Sequence, residues 1–304
     1  MDSLDFNWVR TNLNSLYRPT FIESDQNGCV YVFDYAEFAV AKYCDEETTK
    51  FTIPKGKGPG ELVNPVDMVL QDSLIIFTDP PNGKVLFYDV QGNYKKEWKF
   101  EQFSPGRLTI RPDGKFCILT QLPQPETTIY LVDSHGSVSK KFGFLPNPSV
   151  LHPAYNESNL VVLPAGKENV ALYVSVRLGV LMAYKNGSLL MSKMTIDGQQ
   201  NPQIIQKKAG NGRGFTRLDP EALYTAYKAA VNNQFVMLEY YNPVSKISFL
   251  DFYETDSLNY VISLPTPATF ADITLTSQEI IGLAPDAIYR TTLPKRSLSE
   301  HRKW

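Results

Sequence analysis

Histidine is scarce: His135, His152 and His301 are the only three in 304 residues. A serine triad needs a histidine base, and neither a Gly-x-Ser-x-Gly elbow nor a His-Glu-x-x-His zinc helix occurs. Hydrolysis by triad and zinc-dependent proteolysis are therefore set aside. No apolar run reaches 18 residues, so no transmembrane helix is expected. A basic surplus is also missing. Thirty Lys and Arg face 32 Asp and Glu, which argues against nucleic-acid binding. The three cysteines, Cys29, Cys44 and Cys117, have no metal-type spacing. The opening Met1–Phe6 lacks the basic region and apolar core of a signal peptide. A periplasmic or cell-envelope location is expected if a leader once preceded it, and a cytoplasmic one otherwise.

Aromatic residues are plentiful, with 17 Tyr, 17 Phe and 3 Trp, and there are 21 prolines. Aromatic and β-branched side chains suit a pleated, half-buried surface, and proline suits edges and turns. The strongest signal is a repeated unit in which a tight polar turn separates apolar runs. Asp25-Gln26-Asn27-Gly28 precedes Cys29–Asp34, Asp72-Ser73 precedes Leu74–Asp79, and Asp113-Gly114 precedes Lys115–Thr120. Gly166–Glu168, Asn232-Asn233 and Ser277-Gln278 stand before three further runs. With Gly28, Ser73, Gly114, Glu168, Asn233 and Gln278 as markers, the units lie 41 to 65 residues apart. A four-stranded propeller blade takes about 40–50 residues. The expectation is an all-β chain, one domain spanning 1–304: a six-bladed β-propeller of four-stranded blades. The last unit has only a weak fourth strand, and Asp5–Val9 has no partner in the first. That N-terminal stretch is expected to supply the outer strand of the last blade and close the ring.

The stretch from Lys55 to Trp98 resembles an NHL repeat. Gly56-Lys57-Gly58-Pro59-Gly60-Glu61-Leu62 supplies the glycine-rich opening, and Pro65 follows. Leu74–Asp79 is a strand ending in aspartate, and Asn82, then Lys84-Val85-Leu86-Phe87, then Gly92 complete the pattern. Lys84 stands where the repeat prefers arginine. The Gly-x-Gly-Pro-Gly-Glu phrase is also similar to the TolB-like six-bladed propellers common in Bacteroidetes, which implies an exported or lipid-anchored protein. The motif covers about one blade.

Four groups of residues invite a functional reading. The glycine cluster has neither Walker nor dinucleotide spacing, so a connector between blades is preferred. Asp34, Asp79, Glu239, Asn242 and Asp286 are the candidates for a gluconolactonase-like divalent metal site, although Asp and Asn that end strands are ordinary turn residues. Cys29 and Cys44 face each other if Ala36-Glu37 centres their hairpin. They then form either a cross-strand disulfide or, the favoured reading, a pair of small buried residues. The connector Ile196–Leu223 carries Lys207, Lys208, Arg213 and Arg217. Together with Lys55, Lys57, Arg107, His152 and Arg177 it suggests a basic mouth on the face of long loops (54–65, 101–107, 145–154 and 197–222). Nearby acids largely cancel that charge. Lys57, Arg107, His152, Arg177, Arg213 and Arg217 are the expected binding residues. The function expected is a non-catalytic binding or scaffold propeller for a glycan, peptide or protein partner, without a cofactor. The alternative is a metal-dependent hydrolase with its site in the central channel.

Overall fold

The computed structural model describes residues 6–13, 15–44, 47–124, 127–143, 158–163, 169–176, 179–196, 204–208, 214–218, 228–242 and 245–293. Six four-stranded antiparallel sheets are arranged as the blades of a propeller. The chain starts with β1 (Val9–Asn12) and then builds the first blade from β2 (Pro19–Ser24), β3 (Val30–Asp34), β4 (Ala39–Cys44) and β5 (Glu47–Thr52). Blade two is β6 (Asp67–Gln71), β7 (Leu74–Asp79), β8 (Lys84–Asp89) and β9 (Tyr94–Lys99). Blade three is β10 (Pro105–Ile110), β11 (Phe116–Gln124), β12 (Thr127–Val132) and β13 (Val138–Phe142). Blade four is β14 (Ser158–Val162), β15 (Val170–Ser175), β16 (Val180–Lys185) and β17 (Ser188–Met194). A separate hairpin, β18 (Ile204–Lys208) with β19 (Gly214–Leu218), precedes blade five. That blade is β20 (Lys228–Val231), β21 (Phe235–Asn242), β22 (Ile247–Glu254) and β23 (Tyr260–Pro265). The last blade has β24 (Asp272–Leu275), β25 (Glu279–Leu283) and β26 (Ala287–Thr292), with β1 as its outer strand. No described helix is long and apolar enough to cross a membrane.

Period-2 alternation explains why these strands stack as blades. In β3, Tyr31 and Phe33 pack with Ile75 and Phe77 of blade two, while Val30 and Val32 pack with Ile281 and Leu283 of blade six. In β7 the intervening Ile76 faces blade three, beside Phe116 and Ile118. Each middle strand thus buries both faces, so it reads as an unbroken apolar run rather than an alternating one. Six such clusters, one between each pair of neighbouring blades, form the core.

The turns obey their residues. Gly28 and Gly114 have φ of +82° and +75°, which only glycine adopts without strain. Asn186 and Gly187 are both left-handed, as a two-residue hairpin turn requires.

Three expectations change on contact with the structure. The closing strand is Val9–Asn12, shifted from Asp5–Val9, and Val9 pairs with Arg290. Phe6 and Trp8 pack instead on the core between blades five and six, because their rings gain more from Phe252 and Phe270 than from an outer-strand position. Asp5 lies outside the described residues. The 196–223 connector contains the β18–β19 hairpin, in which Lys208 pairs with Gly214. Cys29 and Cys44 are bonded, against the favoured reading. Val30 pairs with Tyr43, so the cysteines stand directly opposite with Cα atoms 4.4 Å apart. That is the spacing at which cross-strand side chains come closest. Cys117 is buried and free.

Candidate functional site

The six inner strands, β2, β6, β10, β14, β20 and β24, stand side by side around a central channel of about 1130 Å³. The inner strands contribute five charged side chains to the channel's described lining, each from a different blade: Glu23, Asp67, Arg107, Lys228 and Asp272. One end of the lining reaches the hairpin turns around Asp25–Gly28 and Ser277-Gln278. By topology those turns lie opposite the connectors between blades. Partly exposed apolar residues, among them Val69, Leu70, Ile110 and Val231, line the wall between.

Acidic residues occupy three consecutive blades: Asp272 on blade six, Glu23 on blade one and Asp67 on blade two. Arg107 and Lys228 flank this arc on blades three and five. Asp67 accepts the Arg107 guanidinium at 2.9 Å and the Leu108 N–H at 2.7 Å. Arg107 also donates to the Val66 carbonyl at 2.9 Å. Asp272 repeats the arrangement. It accepts the Ile22 N–H at 3.1 Å and the Ile273 N–H at 3.0 Å, and it pairs with the Lys228 ammonium at 3.3 Å. Each aspartate therefore ties its own inner strand to that of the following blade.

Glu23 differs, because no hydrogen bond or ion pair reaches its carboxylate among the described residues. Burial, with Asp272 and Asp67 adding repulsion, pushes its pKa well above the usual carboxylate range. Burial also raises Asp67, and Arg107 opposes the rise. Lys228 is lowered by burial and by the nearby Arg107 charge. Opposite Lys228 in the sheet, Glu239 is fully buried. Its Oε1 accepts the Phe270 N–H at 2.7 Å, its Oε2 has no partner, and burial pushes its pKa up to about 8.

The metal candidates do not converge. Asp34 accepts the N–H groups of Tyr17, Arg18 and Ala36 at 2.5, 3.2 and 2.7 Å. Asp79 accepts those of Val63 and Asn64 at 2.9 and 3.0 Å, and the Asn82 amide at 2.8 Å. Asn242 accepts the Ser245 N–H at 3.1 Å, and exposed Asp286 pairs with Arg10 at 2.7 Å. Asp34 and Asp79 thus anchor the connectors entering their blades, a turn role. Among the described residues no three His, Cys, Asp or Glu side chains gather as metal ligands.

Of the expected binding residues, Arg107 lies in β10 and lines the channel rather than a loop. Lys57 is exposed on the glycine connector. His152, Arg177 and Arg213 lie outside the described residues, and for Arg217 only its place in β19 is described. The connector itself is tied down from beneath. Buried Lys84 donates to the carbonyls of Lys57 and Gly58 at 3.1 and 2.7 Å and pairs with Glu97 at 3.2 Å. Glu97 accepts the Gly60 N–H at 3.1 Å. The same Glu97 is held below its ordinary pKa, because these hydrogen bonds outweigh burial. A Cβ on Gly58 or Gly60 would crowd Glu61 or the Tyr94 ring.

Glu23, Asp67, Lys228 and Asp272 were missed by sequence reasoning. Their signal is a charged residue within an inner strand, such as Glu23 in Thr20-Phe21-Ile22-Glu23-Ser24. Once the repeat assigns the inner strands, such a residue is placed at the channel edge of its blade.

No protein-family profile matches the sequence, and no curated protein matches it significantly. Solved structures do match in fold. Virginiamycin B lyase from Staphylococcus aureus superposes with a TM-score of 0.59 at 12% identity, covering 95% of this chain and all of that one. A putative exported protein from Bacteroides fragilis gives 0.58 at 11%, covering 96% of this chain and 95% of that one. The WD40 repeats of RRP9 also give 0.58 at 11%, covering 96% and 98%. At these identities the likeness is one of architecture, shared by an enzyme and by WD40 domains alike.

Proposed function

We propose that this propeller is a non-catalytic binding protein whose ligand sits in the central channel, against the arc of charged side chains. The arc carries this reading: five ionisable groups from five blades converge in one cavity, on strands that packing holds rigid. The occupant is a small polar molecule or the tip of a peptide or glycan. The expected seat on the loop face finds less support. Its best-described part, the glycine connector, is fastened to Lys84 and Glu97, and carries only Lys55 and Lys57 as exposed bases.

An exported or cell-envelope location fits the Cys29–Cys44 bond, since disulfides persist in oxidising compartments. The fold shared with a putative exported Bacteroides protein supports it as well. Lys84 at the arginine position of the NHL pattern binds the glycine connector, which favours the NHL and TolB-like affiliation.

The test is a thermal-shift screen of the wild-type protein and a channel-filling Thr109→Trp variant. The panel holds divalent metals, amines, acidic and neutral oligosaccharides, and short peptides. A compound that raises Tm only in the wild type supports the channel seat. Equal shifts in both proteins place the site elsewhere and overturn it. A chelator-reversible metal response would favour the hydrolase reading instead.

A further inference from the structure

Granted the channel seat proposed above, on which the amine assignment rests, the channel's charge inventory narrows the ligand's chemistry. Arg107 is engaged by Asp67 and Lys228 by Asp272. Among the side chains of the inner strands, three acids and two bases leave one carboxylate unmatched: Glu23 on blade one, between Asp272 on blade six and Asp67 on blade two. We infer that the channel binds an organic monocation, a primary amine with a hydrocarbon tail, whose ammonium pairs with Glu23 and whose tail runs along the apolar wall.

Three features point to an amine rather than a metal ion. A hard divalent cation needs several oxygens at once. Asp67 and Asp272 have spent theirs on Leu108, Ile22, Ile273 and the two bases. Arg107 and Lys228 on either side repel a double charge about twice as strongly as a single one. An ammonium, by contrast, needs one carboxylate and neutral acceptors, and the apolar residues of the channel wall, among them Val69, Leu70 and Ile110, suit an alkyl chain.

The pairing also has a proton consequence. Glu23 holds its proton to a higher pH than an ordinary carboxylate while the channel is empty of charge. An arriving ammonium favours the ionised form, so binding at a pH where the free carboxyl keeps its proton releases that proton.

The probes are n-hexylamine, n-hexanol, sodium hexanoate and calcium chloride. They are titrated by thermal shift and calorimetry into the wild-type, Glu23→Gln and Thr109→Trp proteins. Hexylamine is expected to raise Tm and to bind at least about tenfold more tightly than hexanol or hexanoate, as a charge-assisted bond allows. Glu23→Gln should remove that advantage. This variant keeps the side chain's shape, and its unliganded melting curve reports whether it folds. An amine no better than hexanol, an amine indifferent to Glu23→Gln, or a larger response to calcium would each overturn the inference. Hexanol binding as tight as hexylamine's and abolished by Thr109→Trp would sink the amine assignment and leave the channel seat standing. Amine binding that survives both substitutions would sink both.

Discussion

Glu239 turns one buried atom into a pH-dependent stability. Its carboxyl is fully buried, with Oε1 on the Phe270 N–H and Oε2 unmatched. The group ordinarily titrates near 4.5 and here at about 8. Below the lower value both folded and unfolded chains are protonated, and full stability is present. Between the two, the unfolded chain has released a proton that the folded protein keeps. Stability therefore falls as pH rises and levels off above about 8. The slope is about 1.4 kcal/mol per pH unit at most, so pH 5 to 8 removes roughly 2–4 kcal/mol once local relaxation is allowed for. Glu23 and Asp67 are shifted in the same direction and add to the wild-type slope. Lys228, lowered by burial, acts with the opposite sign at more alkaline pH. The clean quantity is thus the difference between Glu239→Gln and wild type. Glutamine can still accept from Phe270 but cannot ionise. Urea unfolding followed by tryptophan fluorescence at half-unit intervals should show that difference growing in the variant's favour from pH 5 to 8. A difference flat to within about 1 kcal/mol would refute the reasoning.

Other outcomes follow from the frame. Deleting residues 1–13 removes β1, buried Leu13 and the Phe6 and Trp8 rings. It should cost on the order of 5 kcal/mol and lower a single cooperative Tm. Lys84→Met strands Glu97 and two connector carbonyls and should cost about 3–5 kcal/mol by urea titration. Reducing the Cys29–Cys44 bond, which closes a loop of sequence separation 15, should cost about 3 kcal/mol. Thiol alkylation of the native, unreduced protein should label nothing, because Cys117 is buried and its thiol is pushed up to about 12.

Most of the fold was legible because the repeat is local. Asp25–Gly28, Asp113-Gly114 and Asn186-Gly187 mark hairpins through the backbone angles their residues require. The cysteine register followed from the same counting, since Ala36-Glu37 does centre the hairpin that sets 29 opposite 44. Bonding could not be read from it, because two small residues facing each other look alike oxidised or reduced. The closing strand was placed in the right blade but four residues early. Phe6 and Trp8 look like strand residues, and only the groove between blades five and six shows where the rings go. The channel charges were invisible for a different reason. Glu23, Asp67, Lys228 and Asp272 are far apart in sequence and meet only through the ring's curvature. Strand-end Asp34 and Asp79 were more conspicuous and serve only connectors.

The seam between β1 and β26 also dictates an order of events. Arg10 and Tyr289, which touch across it, are 279 positions apart, whereas the other pairings in each blade join near neighbours in sequence. Five blades can pair and stack while the chain is still being made, but the ring stays open until β26 has emerged. Until then β1 has no partner strand, and once β26 forms, the β1 of a second copy could fill its edge as readily as the chain's own. Slow synthesis or crowding should therefore yield dimers that exchange residues 6–13, and dilution during refolding should favour the closed monomer.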